Sequence, residues 1–337
     1  MKLALIGANG NVGAELCFLL KNDVDLKPIT RNRLGSIFLN YHGFDCTISD
    51  ISKDTDAKDS LSDVDVVVIS SYATDVFTGS QTRSSQLINE KIIKNSVNFS
   101  PSHAIIIYFS TIRAFSNKID PNTPKGWTKS GYDKEKNTLE KILFSESTKT
   151  KKKAYALRLG HVYGDNQPRT RDLKKILSNP QISFQVKPET KSNVVHTVTI
   201  KDAILNCLES KTSPGTYSLV NVPQWTWKNV IDYYKNPQTI VNYKSTKILP
   251  QENSTIWNFL KSNKKYLAPL RYYISPKYDT RINKKLSTKR MLAAIASLKT
   301  ETPLHMSLFD YNPIPGPFLQ NLKNTKNLLE SYNLKVF

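Results

Sequence analysis

The sequence predicts an α/β fold, a doubly wound parallel sheet with a smaller C-terminal lobe, on three observations. Short apolar runs alternate with helical patterns through the first half of the 337 residues, the pattern of βαβ units. Two of those runs, 66–69 and 105–108, carry no charged or small polar residue, as strands buried on both faces require. The first run, Leu3 to Ile6, passes directly into glycines at 7, 10 and 13 and then into an amphipathic segment, 14–20. That order is strand, tight turn, helix.

The elements follow in order. Strands are expected near 2–6, 26–30, 44–48, 65–70, 104–109 and 154–159, and helices near 12–22, 81–96 and 131–147. At the first turn Gly7 makes the sharp bend, Gly10 lets a ligand approach the backbone, and Gly13 lets the helix pack on the strand. Such a turn offers N–H groups and a helix N-terminus to a pyrophosphate. Asn9, Asn11 and Val12 complete the loop. Past residue 165 the pattern loosens into helices near 170–178, 200–210, 226–235 and 254–266. The stretch 284–298 reads as a basic amphipathic helix, packed on the core or on a membrane surface. The proline-rich 311–318 is neither helix nor central strand. The expected division is a dinucleotide-binding domain at 1–165 and a C-terminal lobe at 166–337, interleaved with the core.

Composition narrows the function classes. No run approaches the ~20 apolar residues of a membrane span, and the first strand starts at residue 2, so a cytoplasmic protein is expected. Cys17, Cys46 and Cys207 lie far apart, and the five histidines show no ligand spacing, so no metal site is expected. The net charge of +20 comes from lysines spread along the whole chain. It reads as a solvated surface, with part of the excess suited to a doubly phosphorylated substrate, and no nucleic-acid partner is expected.

The residues with chemical potential lie around the fifth strand. Tyr132 and Lys136 stand four apart at the start of a predicted helix, so phenol and ammonium share one face. A nearby ammonium favours phenolate, which makes Tyr132 an acid/base candidate with a lowered pKa. Upstream, the strand ends at Ser110-Thr111. A hydroxyl at that carboxyl end faces the crevice where open α/β sheets bind ligands.

Together these residues resemble the short-chain dehydrogenase/reductases, specifically their extended branch of nucleotide-sugar epimerases, dehydratases and reductases. The resemblance covers about 1–220. It implies a Rossmann-type domain, with the glycine loop on the cofactor and Thr111, Tyr132 and Lys136 as the catalytic set. It places Asp50 and Ile51 at the adenine, Ser70, Tyr132 and Lys136 on the cofactor, and Ser71, Tyr72, Arg113 and His161 on the substrate side. Arg158 to Gly164 looks like the family's R-x-x-N-x-Y-G segment, with His161 in place of the Asn. Asp202-Ala203-Ile204, after Val194-Val195-His196, looks like its later H-V-D-D element.

Two departures refine this. The second strand ends Thr30-Arg31-Asn32-Arg33, without the acid that a free ribose 2′-hydroxyl takes. Arg31 suits a 2′-phosphate, so the cofactor leans to NADP over NAD. Thr111 is followed by Ile112-Arg113 and not by the acidic pair of the 4,6-dehydratases, which disfavours dehydration. The expected function is NAD(P)-dependent hydride transfer on a nucleotide-sugar, ending in epimerisation or net reduction. A catalytically silent dinucleotide-binding regulator or scaffold is the alternative. Arg169, Arg171 and Arg271 are candidates for a substrate diphosphate, and a homodimer is left open as the assembly.

Overall fold

The computed structural model describes residues 1–74, 81–114, 131–184, 186–243 and 317–332. The expected helices at 254–266 and 284–298, residues 311–316 and Arg271 lie outside the described residues. The chain divides into two compact units: Met1–Tyr72, Asn89–Lys244 and Met306–Phe337 form one, and Ala73–Ile88 with Ser245–His305 the other. Of the second unit, the described part is the start of a helix, where Thr82 and Ser85 exchange side-chain-to-backbone hydrogen bonds as a reciprocal cap.

The first unit is built on a seven-stranded sheet. Its strands are β1 (Lys2–Ile6), β2 (Asp25–Thr30), β3 (Thr47–Ile48), β4 (Val66–Ile69), β5 (Ile105–Thr111), β6 (Ala154–Leu159) and β10 (Gly215–Leu219). Their order across the sheet is β10-β6-β5-β4-β1-β2-β3, every pair parallel. The order reverses between β1 and β4, which creates the crevice at their carboxyl ends where such sheets take ligands. The helices are α1 (Asn11–Leu20), α2 (Arg33–Tyr41), α3 (Asp54–Leu61), α4 (Arg83–Asn98), α5 (Gly131–Lys149), α6 (Pro168–Leu177), α7 (Thr197–Leu208), α8 (Trp227–Tyr234) and α9 (Thr325–Ser331). Small strand pairs, β7 (His161–Tyr163) with β9 (Val194–His196) and β8 (Gln181–Phe184) with β11 (Ile240–Tyr243), complete the described elements.

The doubly wound sheet is as expected, and most elements fall within a few residues of their predicted bounds. The differences have local causes. Strand β3 shrinks to two residues at the sheet edge, where only Ile29 and Thr30 of β2 meet it. Pro28 is accommodated within β2 because its outer side lies beyond that short pairing. Helix α2 turns its apolar residues outward: it buries Ser36 and Leu39 and exposes Leu34, Ile37 and Tyr41. It starts because the Asn32 side chain accepts a hydrogen bond from the Gly35 N–H at 2.9 Å. Strand β10, in the stretch read as helices and connectors, joins the sheet beside β6. As an edge strand it is only half-buried at Gly215–Tyr217, so it lacks the apolar run that marks a central strand.

The largest apolar core lies between the sheet, α1 and α7, with Leu5, Leu16, Leu20, Val68, Leu157 and Ile204 fully buried. A second cluster packs Tyr163, Leu173, Leu177, Trp225 and Trp227 among the later elements. Helix α9 returns to this unit through the Thr325 hydroxyl, which meets the Thr199 hydroxyl at 2.9 Å and accepts the Val222 N–H at 2.9 Å. No helix of the described residues is long and apolar enough to cross a membrane.

Candidate active site

The glycine loop closes the end of β1. Gly7 has φ +80°, and a Cβ there would meet the Ser71 backbone nitrogen at 2.7 Å. The turn is therefore both left-handed and pressed against the segment that leaves β4. Gly13 is confined more severely, because its Cβ would stand 2.2 Å from the Gly7 carbonyl oxygen. Gly10 precedes α1 with extended backbone, and no side chain caps the helix. Asn9, Gly10 and Asn11 are exposed and Val12 is half-buried. The first-turn N–H groups are thus served by no cap, and the helix dipole adds positive potential there. The Ser71 hydroxyl, buried beside Gly7, has no hydrogen-bond partner among the described residues. An uncapped helix start, a glycine-lined turn and an orphan hydroxyl fit a bound pyrophosphate and its sugar.

The three catalytic candidates lie on β5 and α5. Thr111 is the last residue of β5, and its hydroxyl accepts the Arg113 N–H at 3.4 Å. Lys136 is buried, and its Nζ donates to the Phe109 carbonyl at 2.8 Å, which pins α5 to the strand two residues before Thr111. Three tyrosine rings surround that Nζ, with centroids at 4.6 Å (Tyr72), 4.7 Å (Tyr108) and 5.8 Å (Tyr132). Burial drives the Lys136 pKa down to about 7, opposed by the Glu135 and Glu140 carboxylates.

Tyr132 departs from its sequence-based expectation. Its phenol is not drawn toward ionisation; burial pushes it up to about 12, Asp133 and Glu135 add to the rise, and Arg113 opposes it. The i, i+4 spacing does put both residues on one helical face, but the Lys136 ammonium is directed at the Phe109 carbonyl and not at the phenol. Tyr132 nevertheless keeps 37% of its surface exposed, enough to meet a ligand.

The substrate-side candidates divide. Tyr72 stacks edge-to-face on Tyr132, with centroids 5.1 Å apart at 87°, and its hydroxyl donates to Glu135 Oε2 at 2.9 Å. Arg113 pairs with the fully buried Asp133 at 3.0 Å and lies close enough to both Tyr132 and His161 to lower their pKa values. His161 is held neutral, its pKa lowered to about 4 by burial and then by the Arg169 and Arg113 charges. Ser70 follows β4 and donates its N–H to the Ile6 carbonyl, which places it beside the glycine turn.

The adenine-side candidates lie along the sheet's other half. Arg31 is exposed at the end of β2. Asp50 accepts the Ser52 N–H and hydroxyl at Oδ1, so part of its carboxylate serves a local turn. Ile51 is buried and its carbonyl accepts from Asn95. Arg169 and Arg171 are exposed on α6.

Four residues were missed by sequence reasoning. Glu135 and Asn89 (2.9 Å apart through Nδ2) build a buried polar patch under Tyr72. Glu140 accepts from Ser110 Oγ and, in bidentate fashion, from Arg158. Glu15, in α1, accepts from Thr197, Gln167 and the Asp165 and Asn166 N–H groups, tying α1 to the residues after β7 and to the start of α7. A carboxylate on the predicted buried face of α1 or α5 is the one signal that could have marked Glu15 and Glu140.

No family model matches the chain, and no curated protein matches it in sequence. Solved structures match it in fold. An L-threonine dehydrogenase from Clostridium difficile has a TM-score of 0.56 at 16% identity, covering 73% of this chain and 84% of that one. The ADP-L-glycero-D-manno-heptose-6-epimerase of Helicobacter pylori gives 0.55 at 18%, covering 72% and 84%. A UDP-glucuronic acid 4-epimerase from Bacillus cereus, in complex with UDP-glucuronic acid and NAD, gives 0.53 at 18%, covering 73% and 87%. The chain therefore has the Rossmann-type fold of these dehydrogenases and epimerases.

Proposed function

We propose that the protein is an NAD(P)-dependent oxidoreductase or epimerase of the extended short-chain dehydrogenase/reductase type, acting on a nucleotide-sugar. What supports this reading is that Lys136 Nζ bonds to the Phe109 carbonyl, two residues before Thr111, with the Tyr132 ring centroid 5.8 Å from that Nζ, in one unit with the glycine loop. The fold shared with sugar-nucleotide epimerases adds support.

The glycine loop, Ser70, Asp50 and Ile51 would hold the dinucleotide, with Lys136 and Tyr132 at its nicotinamide end. Such a cofactor supplies or accepts the hydride. Tyr132, a phenol whose pKa lies near 12, is protonated at neutral pH. It therefore serves as proton donor to a substrate carbonyl oxygen, and in the reverse direction the same oxygen accepts the proton. Thr111 orients that oxygen. Ser71, Arg113 and His161 line the substrate side; the neutral His161 ring offers a donor and an acceptor to sugar hydroxyls, and Arg113 complements negative charge. Arg31 favours NADP through its fit to a 2′-phosphate.

A screen of nucleotide-sugars with NADPH and NADH tests the reading. Tyr132→Phe is expected to cut turnover by about 10²–10⁴-fold with cofactor binding retained, and unchanged turnover refutes the assignment. Arg31→Asp is expected to shift the preference toward NADH; equal affinities before and after the change refute the NADP argument.

A further inference from the structure

One buried carboxylate, Glu135, holds the tyrosine ring that packs against both Tyr132 and Lys136. It precedes Lys136 on α5. Oε2 accepts the Tyr72 hydroxyl and Oε1 accepts Asn89 Nδ2, each at 2.9 Å. The Tyr72 ring fixed in this way faces Lys136 Nζ at 4.6 Å and packs edge-to-face on Tyr132. Two independently useful contacts, a cation–π contact and an aromatic edge, thus depend on the same hydrogen bond.

The charge of Glu135 has a second consequence. Lys136 faces Tyr132, Glu135 and Glu140 from its own helix, Tyr108 and the Phe109 carbonyl from β5, and Tyr72 from the segment after β4. Glu140 is already neutralised by the Arg158 guanidinium at 2.7 Å. Glu135 makes no ion pair with an arginine among the described residues, and its charge favours the Lys136 ammonium.

We propose that Glu135 is a positioning residue of the reaction: it docks the Tyr72 ring against Lys136 and Tyr132, and its charge keeps Lys136 an ammonium in a buried site. The proposal rests on the reading of Tyr132 and Lys136 as the reacting pair. It extends that reading to a carboxylate and a tyrosine outside the triplet.

The test uses the full chain with lysine labelled at ¹³Cε, the Lys136 resonance assigned by its loss in Lys136→Met. Glu135→Gln keeps an acceptor and removes the charge, and is expected to lower the Lys136 titration midpoint by about one pH unit. In turnover assays the alkaline limb of kcat moves down by the same shift, while KM for the cofactor changes less than about twofold. Glu135→Asp retains the charge, and is expected to hold the midpoint near wild type while kcat falls. Tyr72→Phe removes only the hydroxyl bond, and is expected to lower kcat with the midpoint unmoved. A Lys136 midpoint identical in wild type and Glu135→Gln overturns the proposal. A shifted midpoint without turnover of any nucleotide-sugar supports the electrostatic role and refutes the substrate reading, so the two fail separately.

Discussion

Lys136 Nζ donates to the carbonyl oxygen of Phe109 at 2.8 Å, joining the second turn of α5 to the strand that ends in Thr111. One hydrogen bond thereby fixes how α5, with Tyr132 one turn earlier, lies on β5. The same bond holds an ionisable group where burial disfavours its charge.

That burial predicts a stability cost. The folded Lys136 pKa of about 7 lies below its ordinary 10.5. Between those values the unfolded chain binds a proton that the folded chain does not, so folding stability rises with pH across that window, by about 1.4 kcal/mol per pH unit. Lys136→Met is expected to raise Tm at pH 6–7 and to abolish activity. The wild type should gain on the variant as pH rises from about 7 toward 10. Scanning calorimetry over that range checks it, and a Tm lowered by the variant at pH 6 refutes it.

The two confined glycines separate folding from ligand binding. Gly13→Ala drives a Cβ to 2.2 Å from the Gly7 carbonyl oxygen, a backbone atom that cannot swing aside. A loss of about 1–3 kcal/mol is expected in urea unfolding. Gly10→Ala meets the same carbonyl oxygen less severely, at 3.3 Å. Its stability should fall by less than that of Gly13→Ala while NADPH affinity, read by fluorescence, falls. Equal stability of the two variants would show that the helix can slide to accept both.

Arg158 and Glu140 form a bidentate pair between β6 and α5, with the Ser110 hydroxyl also bound to Glu140. Arg158→Leu leaves a buried carboxylate uncompensated and should cost about 3–5 kcal/mol. The Arg158→Leu, Glu140→Leu double variant should recover much of that loss. Thermal unfolding of the three proteins decides it, and a double variant no more stable than the single one excludes charge burial as the cause.

Acid should weaken the fold through its neutral histidines. His196, stacked on Tyr234 and bonded to Asn221, and His161 both have pKa values lowered to about 4 by burial. As pH falls below about 6.5 the unfolded chain takes up protons that the folded one refuses, so stability drops until about pH 4. His161→Asn removes one of the two groups and should flatten the slope between pH 6.5 and 4. An unchanged slope in urea titrations refutes its contribution.

Much of the architecture was legible because burial leaves a written trace. Val66–Ile69 and Ile105–Tyr108 have a single apolar pattern available to a strand covered on both faces, and the glycines at 7, 10 and 13 mark where backbones touch. Helix α2 and strand β10 were not legible. The first shows solvent an apolar face, and the second is an edge strand whose partner, β6, ends 56 residues before it begins.

The sequence by itself determined which residues could meet: a hydroxyl at a strand end, a phenol and an amine four apart on a helix, and a glycine turn after the first strand. Tertiary structure alone decided the states in which they meet. Packing of α5 on β5 buried Lys136 under three aromatic rings, aimed it at the Phe109 carbonyl and left the Tyr132 phenol protonated. Spacing along a helix is local and can be read from order. Desolvation is the sum of every neighbour, and Tyr72 and Tyr108 come to Lys136 from 64 and 28 residues away in the chain.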